Sequence, residues 1–156
     1  RFEAAKAKEF ETIKAYIASR AEDFEKKSGL EITDRRRGLI AALYLKYVTD
    51  VNAAFDYFKE MVDRIRLEEA SMLEKFDIHL TFDDSAIDAI IDQAIKTDED
   101  AGSLAFNLAK KLEYGLKLVK ERAGIDTFTI NEEAVLDMEK YVNDLIKKYY
   151  RQEYQI

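Results

Sequence analysis

The sequence contains no proline and only five glycines in 156 residues. Proline breaks helices and glycine weakens them, so little in this chain interrupts a long helix. At an average proline usage of about 5%, a chain of this length would carry roughly eight. Because 47% of the residues are hydrophobic and 37% are charged, the composition predicts a folded, mostly helical chain.

The charge and the cysteine content exclude several classes of function. The formal net charge is −7, which disfavours nucleic acid as a partner because phosphates are contacted chiefly by Lys and Arg. The chain has no cysteine, so it has no disulfide, thiolate metal site or thiol nucleophile, and we expect a cytoplasmic protein. No apolar run approaches the ~20 residues that a membrane-spanning helix needs, so we expect no membrane partner.

The first half, residues 1–75, is predicted to be a helical hairpin. A helix over 2–27 carries one apolar stripe and ends near Gly29, since glycine tolerates the left-handed conformation that terminates helices. A second stripe runs from Ile40 to Met72. It predicts either one long helix over 35–75 or two helices, with the break near Gly38 or at 52–54.

The second half, residues 76–156, is predicted to be a small α+β domain. Residues 78–82 alternate apolar and polar side chains, as a short strand does. Two helices, a second strand over 127–130 and a last helix beginning after Asn131 follow. The predicted fold class is therefore mostly α: a long helical hairpin followed by helices with a small two-stranded sheet.

The amino-acid sequence of this second half resembles that of a known protein family. The segment Leu80–Ile90 reads LTFDDSAIDAI and is similar to the L-x-F-x-x-x-A-(I/L)-x-x-I opening of the C-terminal lid domain in Clp-type AAA+ ATPases such as ClpX. The preceding step Leu73–Ile78 and the later Ala94 also fit that pattern, so the resemblance covers roughly residues 66–135. The first half, before about residue 66, carries none of it.

The resemblance implies that the chain is part of a larger protein assembly. Such a lid closes over nucleotide held by an ATPase domain that precedes it and joins neighbouring subunits in a homo-oligomeric ring acting on a protein substrate. ATP and Mg would be bound by the parent protein, and no cofactor by this piece alone. The chain begins at Arg1 without a methionine, and we interpret it as a piece of a longer protein.

One departure from the family concerns the start of the long lid helix. The family carries G-A-R-G-L-R there, and its first Arg reaches the nucleotide phosphates. The corresponding stretch here is 100–105, reading DAGSLA, with Gly102 in place of that Arg. The resemblance implies that Ala101, Gly102 and Ser103 lie nearest to nucleotide. Glycine cannot supply the positive charge, so the resemblance implies the fold more securely than nucleotide sensing.

No catalytic or metal-binding residue is predicted. The sequence has no G-x-x-x-x-G-K-(S/T) loop, which phosphate-binding ATPases need, so this piece cannot hydrolyse ATP by itself. His79 is expected to face solvent on its strand, and the acidic runs at 83–84 and 98–100 are expected to be helix caps and a turn rather than a cation site.

The first half contains one basic and one aromatic cluster. The basic run 35–37 is expected to be surface charge, with a phosphate or an acidic partner as the alternative. The aromatic stripe between Tyr44 and Phe58 is expected to be core, with a groove for a partner helix as the alternative. That alternative leads to a rival function, a free-standing helical protein–protein interaction adaptor. An enzyme in its own right is the least supported class.

Overall fold

The computed structural model describes residues 2–47 and 50–153. Those ranges contain seven helices and two strands: α1 (Phe2–Ser28), α2 (Asp34–Tyr47), α3 (Val51–Phe76), β1 (His79–Phe82), α4 (Asp84–Thr97), α5 (Ala101–Ala123), β2 (Thr127–Ile130), α6 (Glu132–Leu136) and α7 (Met138–Glu153). The predicted fold class, mostly α with a small two-stranded sheet, is confirmed. The chain divides into two compact units, one ending at Val62 and the other beginning at Asp63.

In the first unit, α1 folds back on α2, as the hairpin prediction requires. The rings of Phe24 on α1 and Phe55 on α3 lie 4.7 Å apart between centroids. The buried apolar side chains of this unit come from α1, α2, α3 and the connection between α1 and α2: Ile17, Ala21, Ile32, Leu39, Ile40, Ala41, Leu43, Ala54, Phe55, Phe58, Met61 and Val62.

The region 35–75 forms two helices, which was one of the two predicted alternatives. The break falls between Tyr47 and Val51, next to the predicted position at 52–54, while Gly38 lies inside α2. Asp50 begins α3, because its carboxylate accepts a hydrogen bond from the N–H of Asn52 at 2.8 Å. Satisfying an amide at a helix start in this way stabilises a new helix.

The surface prediction for the basic run is wrong for Arg36, which is only 2% exposed. Its Nη1 donates to the carbonyl of Glu31 at 3.0 Å, and its guanidinium lies 5.4 Å from the centroid of the Phe58 ring. A buried guanidinium is tolerated where a hydrogen bond and an aromatic face replace water.

The aromatic stripe is core only in part. Phe55 and Phe58 are buried, whereas Tyr47 is 41% exposed and Tyr57 is 37% exposed. The two tyrosine rings stack on each other, with centroids 5.8 Å apart and an angle of 9° between planes. The core prediction is therefore wrong for Tyr47, whose ring stacks on Tyr57, a residue outside the apolar stripe, at the surface of the unit.

The second unit contains the sheet. β1 and β2 pair in parallel, with His79 opposite Thr127 and Phe82 opposite Ile130. The helices α4 and α5 form the crossover that parallel strands require. One face of the sheet is buried (Leu80, Phe82, Phe128, Ile130), and the other is exposed (His79, Thr81, Thr127, Thr129). His79 therefore faces solvent, as predicted.

The last predicted helix is in fact two helices. Asn131 caps α6, as expected, through a hydrogen bond from the N–H of Ala134 at 3.0 Å. At Asp137 the backbone leaves the helical region, with φ −146° and ψ 79°. Its carboxylate then accepts from the N–H of Lys140 at 3.2 Å and so begins α7. Because the apolar periodicity continues across Asp137, the sequence pattern does not reveal this break.

Candidate functional site

The residues predicted to lie nearest nucleotide are at the first turn of α5. Ala101 is buried, Gly102 is half-buried and Ser103 is exposed. Gly102 and Ser103 line an open groove of about 460 Å³ between the start of α5 and the middle of α3; its other lining residues are Arg64, Leu67, Glu68, Asp100, Phe106 and Asn107. This volume is within the range of small-molecule sites.

The groove is organised around the carboxylate of Asp100. Its Oδ1 accepts a hydrogen bond from Nη1 of Arg64 at 2.6 Å, and its Oδ2 accepts from the backbone N–H of Ser103 at 2.9 Å. The Ser103 hydroxyl donates to the same oxygen at 3.2 Å. The Ser103 amide is the main cause that lowers the pKa of Asp100, while partial burial opposes it and Arg64 adds to the lowering. Asp100 is therefore both the N-cap of α5 and the partner of Arg64.

Replacing Asp100 with asparagine tests this charge. Asparagine caps a helix about as well as aspartate, so the variant removes the charge and retains the cap. Because the pKa of Asp100 is lowered in the fold, its stabilising effect is present above the unfolded pKa of about 3.9 and is lost as pH falls through the folded value.

We expect Asp100→Asn to be less stable than wild type by at most ~1 kcal/mol at neutral pH, since both side chains of the pair are partly exposed. Urea unfolding between pH 7 and pH 2 measures the difference. It should disappear at the acid end, and a difference that grows on acidification would contradict this role.

The geometry also shows what occupies the space beside Gly102. A Cβ built on Gly102 would lie 3.0 Å from Oδ2 of Asp100 and 3.4 Å from Cβ of Arg64. The position at which the resemblance expects an Arg is therefore covered by an Arg that comes from α3. Sequence reasoning missed Arg64, because it precedes Gly102 by more than 35 residues and no motif connects the two.

The rest of the groove carries acid rather than base. Burial raises the pKa of the Glu68 carboxyl, and the charge of Lys75 offsets part of this rise. A second cavity, farther along α3 and α5, holds only about 40 Å³, which is far below the size of a ligand site. The groove at the start of α5 is therefore the larger of these two candidate sites.

The described lining of the groove offers little positive charge. One guanidinium is present among its residues, and it already pairs with Asp100. The first turn of a helix can offer free backbone N–H groups to a phosphate, but here the Ser103 N–H already donates to the Asp100 carboxylate. Among the described lining residues, the groove therefore offers at most one cationic contact.

The acidic runs act as helix caps. Asp83 caps α4 by accepting from the N–H of Ala86 at 2.9 Å, and Asp98 ends the same helix in the left-handed conformation at φ 57°. Over residues 2–47 and 50–153, no three His, Asp or Glu side chains come together in a group able to hold a metal ion. Within the same ranges, none of the helices combines the length and the apolar character needed to cross a membrane.

Comparison of the chain with protein-family models, with curated proteins and with solved structures finds no match. Function is therefore inferred from the residues and geometry described above.

Proposed function

We propose that this chain is the C-terminal region of a ClpX-like AAA+ ATPase and that its second unit is the lid of that ATPase. In this role the chain takes part in ring assembly and in nucleotide-dependent lid movement, and it is not catalytic by itself. ATP and Mg are held by the ATPase domain of the parent protein, which forms a homo-oligomeric ring on a protein substrate.

The observation that carries the proposal is the burial of the motif residues in one core. After α3, the second unit has the order strand, helix, helix, strand, helix, helix, with its two strands parallel. The five residues that match the specified letters of the motif are at most 3% exposed: Leu80, Phe82, Ala86, Ile87 and Ile90. Each apolar letter therefore marks a packing position, which supports the similarity of fold. It supports nucleotide sensing less, because packing residues do not contact phosphate.

Arg64 is the residue through which this lid would contact nucleotide. Its side chain lies against Gly102, where the resemblance expects a cation. The side chains of Arg64 and its partner Asp100 are both about half exposed. A phosphate entering the groove can therefore replace Asp100 as the partner of Arg64 without first desolvating a buried ion pair.

The experiment compares Arg64→Ala with Lys110→Ala in the parent protein. Lys110 is an exposed cation on α5 that lies 3.9 Å from its partner Glu113. We expect Arg64→Ala to weaken binding of a non-hydrolysable ATP analogue about fivefold, which corresponds to ~1 kcal/mol. Lys110→Ala should leave binding unchanged. Isothermal titration calorimetry measures both.

Two outcomes would contradict the proposal. One is binding of the analogue by the present chain alone at millimolar affinity or tighter, because the chain lacks a phosphate-binding loop. The other is a parent protein that carries no nucleotide-hydrolysing domain.

A second candidate function is that of a helical interaction adaptor. It is favoured by the stacked pair of Tyr47 and Tyr57 in the first unit, and by Leu45 nearby in sequence, which is 41% exposed. Aromatic side chains at a surface are common anchors of protein partners. This candidate replaces the first if the parent protein has no ATPase domain.

A further inference from the structure

The two outer edges of the small sheet differ in how their backbone is satisfied. On β1, the N–H of Phe82 donates to Oε2 of Glu69 at 2.7 Å. The carbonyl of Phe82 accepts from Nη1 of Arg66 at 3.0 Å. Both side chains come from α3, so the outer edge of β1 is closed at Phe82 by an ion pair.

The outer edge of β2 has no such cover in the part of the chain that the structure describes. The N–H of His79 donates to the carbonyl of Asp126 at 2.7 Å, and the N–H of Asp83 donates to that of Ile130 at 2.9 Å. With the parallel register, these bonds show that the backbone N–H and C=O groups of Phe128 and Ile130 point toward β1. Thr127 and Thr129 therefore turn their N–H and C=O groups outward.

β2 is an edge strand of a two-stranded sheet. Among the described elements, β1 is the one with which β2 has extensive contacts. No hydrogen bond to the backbone of Thr127 or Thr129 is found in the described residues. The side chains of both threonines are exposed.

Apart from its shortness, at four residues, the edge also lacks the features that normally protect one. β2 reads Thr-Phe-Thr-Ile and has no charge and no proline, and its register with β1 is continuous. Soluble proteins usually blunt an open edge with lysine, proline, a bulge or a covering element, because an unpaired row of backbone groups recruits another strand. Here one edge of the sheet is closed by Arg66 and Glu69, and the other is left open.

We propose that the outer edge of β2 binds an extended segment of another polypeptide as a third strand, and that this segment has basic residues at its ends. The four outward groups of Thr127 and Thr129 supply the backbone hydrogen bonds that such strand addition uses. Acidic residues flank the strand: Asp126 before it, and Glu132 and Glu133 after it. They favour a partner with basic flanks and disfavour a second copy of this chain, whose own acidic flanks would come close to them.

The probe is a hexapeptide in which lysines flank alternating threonine and valine. It is titrated into the full chain, and amide exchange is followed by NMR. We expect saturable binding that slows exchange of the Thr127 and Thr129 amides at least tenfold. Two further peptides carry N-methyl groups on alternate residues, one peptide on the odd positions and the other on the even positions. Because only alternate amides of the added strand face β2, at least one of these peptides should lose tenfold or more in affinity. A peptide flanked by glutamates should bind at least threefold more weakly at low salt.

Thr129→Pro is the matched protein variant. Within the described residues no hydrogen bond from the N–H of Thr129 is found, so proline removes an outward donor and leaves the pairing with β1 in place. Phe128 before it is already extended, as a residue before proline should be. We expect a tenfold loss of peptide affinity with the Ile130 amide still protected. Thr129→Val retains the N–H and should bind within twofold of wild type.

Several results would overturn the proposal. Binding of both N-methylated peptides as tightly as the unmethylated peptide would show that the backbone edge is not used. Peptide-induced changes at residues away from β2 would place the site elsewhere. Slowing of Thr129 exchange with rising protein concentration alone would assign the edge to a second copy. If Thr129→Pro fails to fold, the N-methylated peptides still decide. The proposal does not rest on the proposed function.

Discussion

Gly115→Ala is expected to destabilise the second unit by about 1–3 kcal/mol, as overpacking does in a close-packed core. A Cβ built on Gly115 would lie 2.6 Å from Cγ1 of Val142, which is closer than two carbons can approach. Val142 is β-branched and on a helix, so its side chain has essentially one rotamer and cannot rotate away. The two helices α5 and α7 must separate instead. This strain exceeds the gain of up to ~1 kcal/mol that alanine gives a helix interior.

Gly38→Ala is the matched control for this variant. Its added Cβ would lie 3.7 Å from Cζ of Phe10, an ordinary contact, so we expect stabilisation by roughly 0.5–1 kcal/mol. The double variant Gly115→Ala/Val142→Ala should recover part of the lost stability, because it removes the contacting methyl group. Urea unfolding with amide exchange in each unit measures these effects. A Gly115→Ala variant as stable as wild type would show that α5 and α7 do not approach each other closely at this point.

Glu69→Ala is expected to cost about 1–3 kcal/mol, the penalty of leaving a buried donor without its acceptor. The N–H of Phe82 donates to Oε2 of Glu69 at 2.7 Å, and the Phe82 side chain is fully buried. The same oxygen accepts from Arg66 at 2.7 Å. Removing the carboxylate therefore leaves an amide and a guanidinium without this partner and opens the outer edge of β1.

The readout is the exchange rate of the Phe82 amide, together with the midpoint of urea unfolding. Glu69→Gln retains an oxygen that can accept from the Phe82 amide, and it should lose less stability than Glu69→Ala. Glu74→Ala is the control on the same helix, because Glu74 is exposed, and we expect a change within ±0.5 kcal/mol. If Glu69→Ala and Glu74→Ala have the same effect, Glu69 does not hold the edge of β1.

Local signals in the sequence were enough to predict most of the helices and strands in the second unit. The alternation at 78–82 and 127–130 predicted both strands, and Asp83 and Asn131 predicted two helix starts. Gly124 ends α5 in the left-handed conformation, as glycine commonly does at the end of a helix. These features depend on residues within a few positions of one another, so a single sequence contains them.

The breaks inside apolar stripes were harder to predict. Asp137 ends α6 and begins α7, although the apolar periodicity continues from Val135 to Tyr149. A stripe reports which face of a helix is buried, and two short helices can bury the same face as one long helix. The interruption before α3 was placed only approximately for the same reason.

The sequence by itself determined the helical class, the two strands, most helix caps and the position of residues 101–103 at the start of a helix. Only the tertiary structure decided which distant groups meet: Arg64 with Asp100, Arg36 with Phe58, and Glu69 with the backbone of Phe82. The physical reason is the range of the interactions. Caps and periodicity act within one or two helical turns, whereas these charged groups find partners 13 to 36 positions away, where packing alone sets the distance.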